Sequence, residues 1–242
     1  MTGWKAKRFW KEATAVPETG GFGIRLDGRP VKTPAKAPLV VPTAALAHEI
    51  ASEWAAQEET INPATMPFTK TANAAIDKVA PQRREVAEML AAYGDCDLLC
   101  YRAEAPAALA RRQAEAWDPL LDWAAAELGA RLEPCTGVIH RPQPPEALER
   151  LSRLVDSMGN FELAAFHDLV TLSGSLVIGF AVVRGQSDTE SLWQASRLDE
   201  TWQQEQWGRD EEAEKAAQRR RAGFMHAARF FRICRKGEVP EG

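Results

Sequence analysis

His167 and Asp168 form the adjacent pair found at the centre of metal phosphohydrolases, and Cys96 and Cys100, four apart, would share one face of a helix as paired metal ligands do. Each set is incomplete. A phosphohydrolase requires further histidines and another aspartate, and His140 alone is even roughly placed. Cys135 and His140 lie in a stretch broken by Pro134, Gly137 and Pro142, with no second pair to complete a four-ligand zinc site. Burial as structural residues is the expected fate of the cysteines. Ser173 and Ser175 lack the Gly-x-Ser-x-Gly turn that presents a hydrolase nucleophile. Gly20-Gly21-Phe22-Gly23 is followed by neither a helix nor a Lys-Ser/Thr pair, so it is not read as a phosphate loop. Glu58-Glu59 and Glu211-Glu212 are chain neighbours that diverge on a helix, unlike a general acid facing a general base. The sequence points to no catalytic residue, no metal and no cofactor.

The most unusual chemistry lies between Trp193 and Glu214, where tryptophans and carboxylates are crowded together. Ser187 and Glu190 have the spacing of a capping box, which predicts a helix start. Leu192, Ala195, Leu198 and Trp202 then recur at steps of three and four and mark an apolar face. Glu200, Gln203, Gln204 and Glu205 mark a polar one. Gly208 would end or bend this helix, since glycine costs about 1 kcal/mol in a helix interior. Acids follow from Asp210 to Glu214, then the charge reverses at Lys215 and Arg219 to Arg221. A core helix with a solvated charged face explains this pattern. A protein-binding patch explains it too, because large aromatics anchor and charges select.

The elements that would carry these residues divide in two. Residues 1 to about 42 read as an antiparallel meander: Thr19-Gly20-Gly21 supplies a turn, Phe22, Ile24 and Leu26 alternate with Gly23, Arg25 and Asp27, and Asp27-Gly28 is a hairpin signal. Leu39 to Val41 makes a further short extended piece. Thr43 is placed to cap a helix running to about Gln57, with Leu46, Ile50 and Trp54 on one face. A stiff, proline-punctuated loop follows from Ile61 to Phe68, then helices over Thr69 to Val79 and Pro81 to Tyr93.

Beyond residue 94 the pattern is overwhelmingly helical. It predicts two helices split at Asp118-Pro119, an extended piece over Arg131 to Ile139 and an amphipathic helix over Glu146 to Met158. A single buried helix is expected over Phe161 to Val183, with Ser173, Gly174, Ser175 and Gly179 allowing close approach of neighbours. One helix is expected over 188–207, with a basic continuation to about Ala228 and a strand or helical tail from Arg229 to Ile233. The expected fold is α+β: a small β-rich mixed N-terminal domain, residues 1–94, followed by a mainly α-helical C-terminal domain, residues 95–242.

Length and composition agree with this. At 242 residues, 45% hydrophobic and 26% charged, the chain has the make-up of a soluble globular protein with room for two domains. A net charge of −4 argues against nucleic-acid binding, and the four scattered cysteines suit a reducing compartment. The opening MTGWKAKRFWKE has no apolar run behind it, and the longest apolar run, Leu169 to Val183, is shorter than the roughly 20 residues that span a bilayer. No signal or membrane anchor is expected, and on residues alone a binding protein is favoured over an enzyme.

Five blocks carry a resemblance to a known family: RFWKEA at 8–13, LDGRPVKTPAKAPLVVPTAALAHEIASEWAAQ at 26–57, INPATMPFTKTANAAID at 61–77, LSGSLVIGFAV at 172–182 and ASRLDETWQQEQWG at 195–208. Together they resemble the ATP-twelve type of assembly factors for the F-type ATP synthase. The likeness runs in order over nearly the whole chain and fades between about 95 and 160. It implies a chaperone without ATPase activity that binds the free alpha subunit of the catalytic head until the beta subunit replaces it. It also implies a mixed α/β N-terminal domain joined to a helical C-terminal one. Mitochondrial members carry a leader, so a bacterial cytoplasmic protein is expected, or a processed matrix form, and in either case a monomer.

Given that resemblance, Glu200, Glu205, Trp207, Asp210 and Glu211 are the expected contact surface for the alpha subunit, with Trp202 assigned to the core. Two rivals stay open at this point. One is a small-molecule enzyme whose pocket forms from the LDGRP and MPFTKTAN loops, and the other is a general holdase without a preferred client.

Overall fold

The computed structural model describes residues 7–137, 139–208 and 210–235 of the chain. The first six residues of the basic opening and Val138 of the 131–139 stretch lie outside the described residues. The observed architecture is α+β, a small N-terminal sheet followed by a mostly helical remainder, as the residue pattern predicts. It forms two compact units. One takes residues 7–83, 159–165 and 229–235, and the other takes Arg84–Met158 and Phe166–Ala228.

In the first unit, strands β1 (Ala13–Glu18) and β2 (Gly21–Leu26) form an antiparallel hairpin, with Ala13 opposite Leu26 and Glu18 opposite Gly21. β3 (Arg29–Pro30) and β4 (Val40–Val41) both pair with the other side of β2, at its two ends. The β2–β3 connection is the predicted Asp27-Gly28 turn, with φ of 47° and 80°, the left-handed geometry that two-residue hairpin loops require. The Asp27 carboxylate accepts from the backbone N–H groups of Lys11 and Glu12, so the turn also holds the segment leading into β1.

Helix α1 (Ala44–Ala55) packs on this sheet through fully buried Leu46 and Ile50. It starts where Thr43 predicts, with the threonine hydroxyl oxygen accepting from Leu46 N–H. The loop beyond it is stiff for identifiable reasons. Buried Gln57 accepts from Asn62 N–H and donates to the Thr65 hydroxyl, around a single tight turn at Pro63–Thr65. Helix α2 (Pro67–Ala74) begins two residues earlier than expected, because Pro67 suits a first turn and the Glu53 carboxylate takes up the free N–H groups of Phe68 and Thr69. Helical winding continues through Ala75–Val79 and Ala80–Gln82 into α3 (Arg83–Ala91), so Pro81 changes the pitch rather than starting a new helix.

The second unit corrects four sequence expectations. Asp118-Pro119 does not divide two helices: α4 (Ala107–Trp123) runs through it with Pro119 in its interior. Trp117, Leu120 and Leu121 are buried on either side of the proline, and Asp118 is drawn to Arg102 at 2.8 Å instead of capping. Burial of that apolar face outweighs the cost of the interior proline.

The apolar run expected as one helix is two, α6 (Asn160–Ser173) and α7 (Leu176–Arg184). Gly174 breaks it at φ 76°, and the exposed backbone groups find buried partners. Ser175 Oγ accepts from Ile178 N–H, and the Asp97 carboxylate accepts from Val177 and Leu99 N–H. Gly179 does allow the expected close approach: a Cβ there would stand 2.9 Å from Val170 Cγ2 and 3.0 Å from a Phe166 ring carbon.

The 188–207 helix divides at Arg197 into α8 (Thr189–Ser196) and α9 (Leu198–Trp207), and its cap is Asp188, accepting from Ser191 N–H, not Ser187. Glu190 is not a capping partner either; it pairs with Arg221. The tail from Arg229 is helical, the end of α10 (Glu211–Cys234). The 101–136 region adds a two-residue parallel pair, β5 (Tyr101–Arg102) with β6 (Cys135–Thr136), and α5 (Pro145–Asp156) forms as expected. All four cysteines are free; three are buried as predicted and Cys96 is exposed.

Candidate functional site at the end of helix nine

Helix α9 is held by a few anchors. Leu198 is buried, while Trp202 and Gln204 are half-buried, so Trp202 is less enclosed than the core position the sequence suggests. Trp193, on α8, is the buried tryptophan of this stretch, packed against Phe224 at 5.3 Å between ring centres. Trp117 Nε1 donates to the Ala195 carbonyl at 2.9 Å, which ties α8 to α4. Gln113, also buried on α4, donates to Asp199 Oδ1 at 2.7 Å and so fixes the first turn of α9.

The five expected contact residues fall along α9, the turn after it and the start of α10, but they are not equivalent. Trp207 is 79% exposed, a large indole left in solvent at the helix end. Glu205 is gripped by Arg112 through two hydrogen bonds of 2.6 and 3.0 Å, and the guanidinium holds its carboxyl below the usual glutamate range. Glu200 is paired with Arg197 one turn back, at 2.5 Å, and the same guanidinium lies over the Trp193 ring. Gly208 closes α9 with φ 91°. Asp210 is the cap of α10, its Oδ1 accepting from Glu212 and Ala213 N–H. Glu211 is exposed in the first turn of that helix, where a carboxylate meets the positive end of the helix dipole.

Arg112, the partner of Glu205, lines a hollow of about 540 Å³ between α4, α8 and the first turn of α9, where Ala116, Leu120, Leu192, Ala195 and Leu198 stand with the polar Ser191, Gln194 and Thr201. Sequence reading missed Arg112 and the hollow. Arg112 lies 93 residues from its partner Glu205, and neither shows its significance locally. The arrangement suits recognition: a recess of mixed lining, charges fixed along the helix that leads from it, and an exposed aromatic at the helix end. His167 Nδ1 meets Asp168 Oδ1 at 3.0 Å, and His140 meets Asp95 and Tyr101. Among the described residues no cluster of His, Cys, Asp or Glu could hold a metal, and no helix is long and apolar enough to cross a membrane.

Known proteins place this geometry. Residues 7–125 match the family described as ATP12 chaperone protein. The mitochondrial protein atp12 of Schizosaccharomyces pombe is 30% identical over 220 residues, covering 86% of this chain and 75% of the relative. The chain belongs to the ATP12 chaperone family. The crystal structure of Atp12 from Paracoccus denitrificans superposes with a TM-score of 0.93 at 53% identity, over 95% of this chain and 99% of that one. An aspartate-to-lysine mutant of the P. denitrificans protein matches equally, with a TM-score of 0.93 at 52% identity, over 95% and 98% of the two chains. The ATP12 fold therefore extends well past residue 125, through the helical elements that carry Glu200 to Glu211.

Proposed function

We propose that this ATP12-family chain is a chaperone of the F-type ATP synthase catalytic head, which holds the free alpha subunit until the beta subunit takes its place. The observation that carries the reading is the exposed Trp207 at the end of a helix whose first turn lines a hollow and whose Glu200 and Glu205 are positioned by arginines. An unassembled subunit exposes apolar surface that promotes aggregation, and a shallow recess with an aromatic anchor covers such surface without a very large interface. Release then needs no nucleotide, because the larger native interface displaces the chaperone by mass action. Glu200, Glu205, Trp207, Asp210 and Glu211 form the contact surface in this reading, and the protein acts as a monomer in the bacterial cytoplasm or an equivalent matrix.

The test is capture of separately expressed ATP synthase alpha and beta subunits, each freshly diluted from denaturant. Selective retention of soluble alpha, lost on addition of beta, is the expected result. Equal capture of both subunits would replace this reading with a general holdase.

A further inference from the structure

The first unit holds a second recess, a cleft of about 620 Å³ formed where the loop after β3 meets α2 and the proline-rich loop before it. Trp54, Ile61, Met66, Pro34 and Pro63 supply apolar lining. Around them stand Lys32, Lys36, Lys70 and Lys78, four of the nine lysines in a chain whose net charge is −4. Among the described residues none of the four is in an ion pair. The one acid in the lining, Asp77, is already occupied: Oδ1 accepts from the Thr33 hydroxyl at 2.6 Å and Oδ2 from Ala35 N–H at 3.0 Å. That contact fixes the 32–36 loop against the helical segment, so the recess is pre-formed, and four ammonium groups against one carboxylate leave it net positive.

We propose that this cleft binds an acidic, extended peptide segment of a partner protein. Lys70 and Lys78 lie eight residues apart, roughly 12 Å of helical rise, so their positive charge is spread over a length greater than that of one small anion. The same span is about four residues of extended chain, so carboxylates spaced along a strand reach successive lysines. The apolar lining takes the side chains between them. Trp54 Nε1 and Asn73 Oδ1, both in the lining residues, are shut off from solvent with no hydrogen-bond partner. One unmet donor and one unmet acceptor in the walls of the cleft match the carbonyl and N–H of a peptide unit.

This assignment is independent of which client the α9 surface holds. The test is a fluorescence anisotropy titration of the full chain with a labelled octapeptide of alternating aspartate and leucine. The same peptide with lysine in place of aspartate serves as control. The expected result is saturable binding of the acidic peptide alone, weakened about tenfold or more by Lys36→Glu with Lys70→Glu and retained by arginine at both positions. Since both lysines are exposed, circular dichroism should report an unchanged fold, and Lys36→Gln alone should give a smaller loss in the same direction. The Trp207→Ala variant should bind the peptide normally. Absence of binding, binding indifferent to the lysine reversals, or full displacement by millimolar inorganic phosphate would overturn the proposal, the last by showing a small-anion site. None of these outcomes bears on alpha-subunit capture.

Discussion

Around the cleft of the first unit, Glu53 and Asp77 turn their carboxylates onto backbone N–H groups and threonine hydroxyls, and the lysines beside them are left without partners. Along α9 the pairing is the reverse: Arg112 and Arg197 take up Glu205 and Glu200, while Trp207 and Glu211 remain open to solvent. The charge that braces each region is thus the opposite of the charge it offers. Charge counts along the sequence do not show which charges are held, because the partners lie far apart in the chain, as Arg112 and Glu205 do. What differs is which of them is held by the fold.

The sharpest division predicted by this contrast is between acids that brace and acids that face solvent. Asp97 is the extreme bracing case, fully buried with Leu99 and Val177 N–H donating to it. Asp97→Ala leaves two buried donors unmet and should lower the unfolding free energy by about 3 kcal/mol in urea titrations. Burial also pushes the Asp97 carboxyl up to about 6. The protonated form is favoured in the folded state, so the stability this group contributes is complete below about pH 4 and lost as pH rises through 6. The stability of the native chain relative to Asp97→Asn should therefore fall between pH 4 and 6. A flat difference would mean that Asp97 ionises as it does in the unfolded chain.

Glu53 braces the cleft, and its partial burial raises its carboxyl above the ordinary glutamate range. Glu53→Ala should cost about 1–2 kcal/mol, as loss of a helix cap does, and should loosen acidic-peptide binding while leaving client capture at α9 unchanged. At the α9 end the expected pattern inverts. Trp207→Ala should leave the urea midpoint unmoved and weaken client capture by about tenfold or more, as truncation of an exposed aromatic anchor does. Glu205→Lys should weaken capture less than Trp207→Ala does, with the fold intact by circular dichroism. Arg112→Ala should give the smallest change, a slight tightening of capture, since it releases the Glu205 carboxylate for the partner. Weakened capture by Arg112→Ala would instead make the arginine itself the contact.

Much of the fold was legible in the residues because its signals are local. The Asp27-Gly28 turn, the alternation of β2 and the Thr43 cap each act within a few positions. Two of the misplaced boundaries involve distant partners. Asp118-Pro119 reads as a helix start until Arg102 claims the aspartate, and the 161–183 run reads as one helix until Asp97, some 80 residues earlier, satisfies the broken turn. The candidate surface was legible in outline from the crowding of tryptophan and acid in 193–214. Its internal inequality was not, because the partners of Glu205 and Asp199 lie on α4. The cleft lysines show no pattern in sequence, since a loop and a helical segment some 35 residues later bring them together.

The most direct test of the account is site-specific photo-crosslinking from position 207 to ATP synthase alpha subunit freshly diluted from denaturant, with position 36 as the comparison site. The account predicts an adduct with alpha from position 207, none with beta, and loss of the alpha adduct once beta is added. Retention of alpha with no adduct from 207, or adducts from 36 alone, would contradict it and move the client to the other unit.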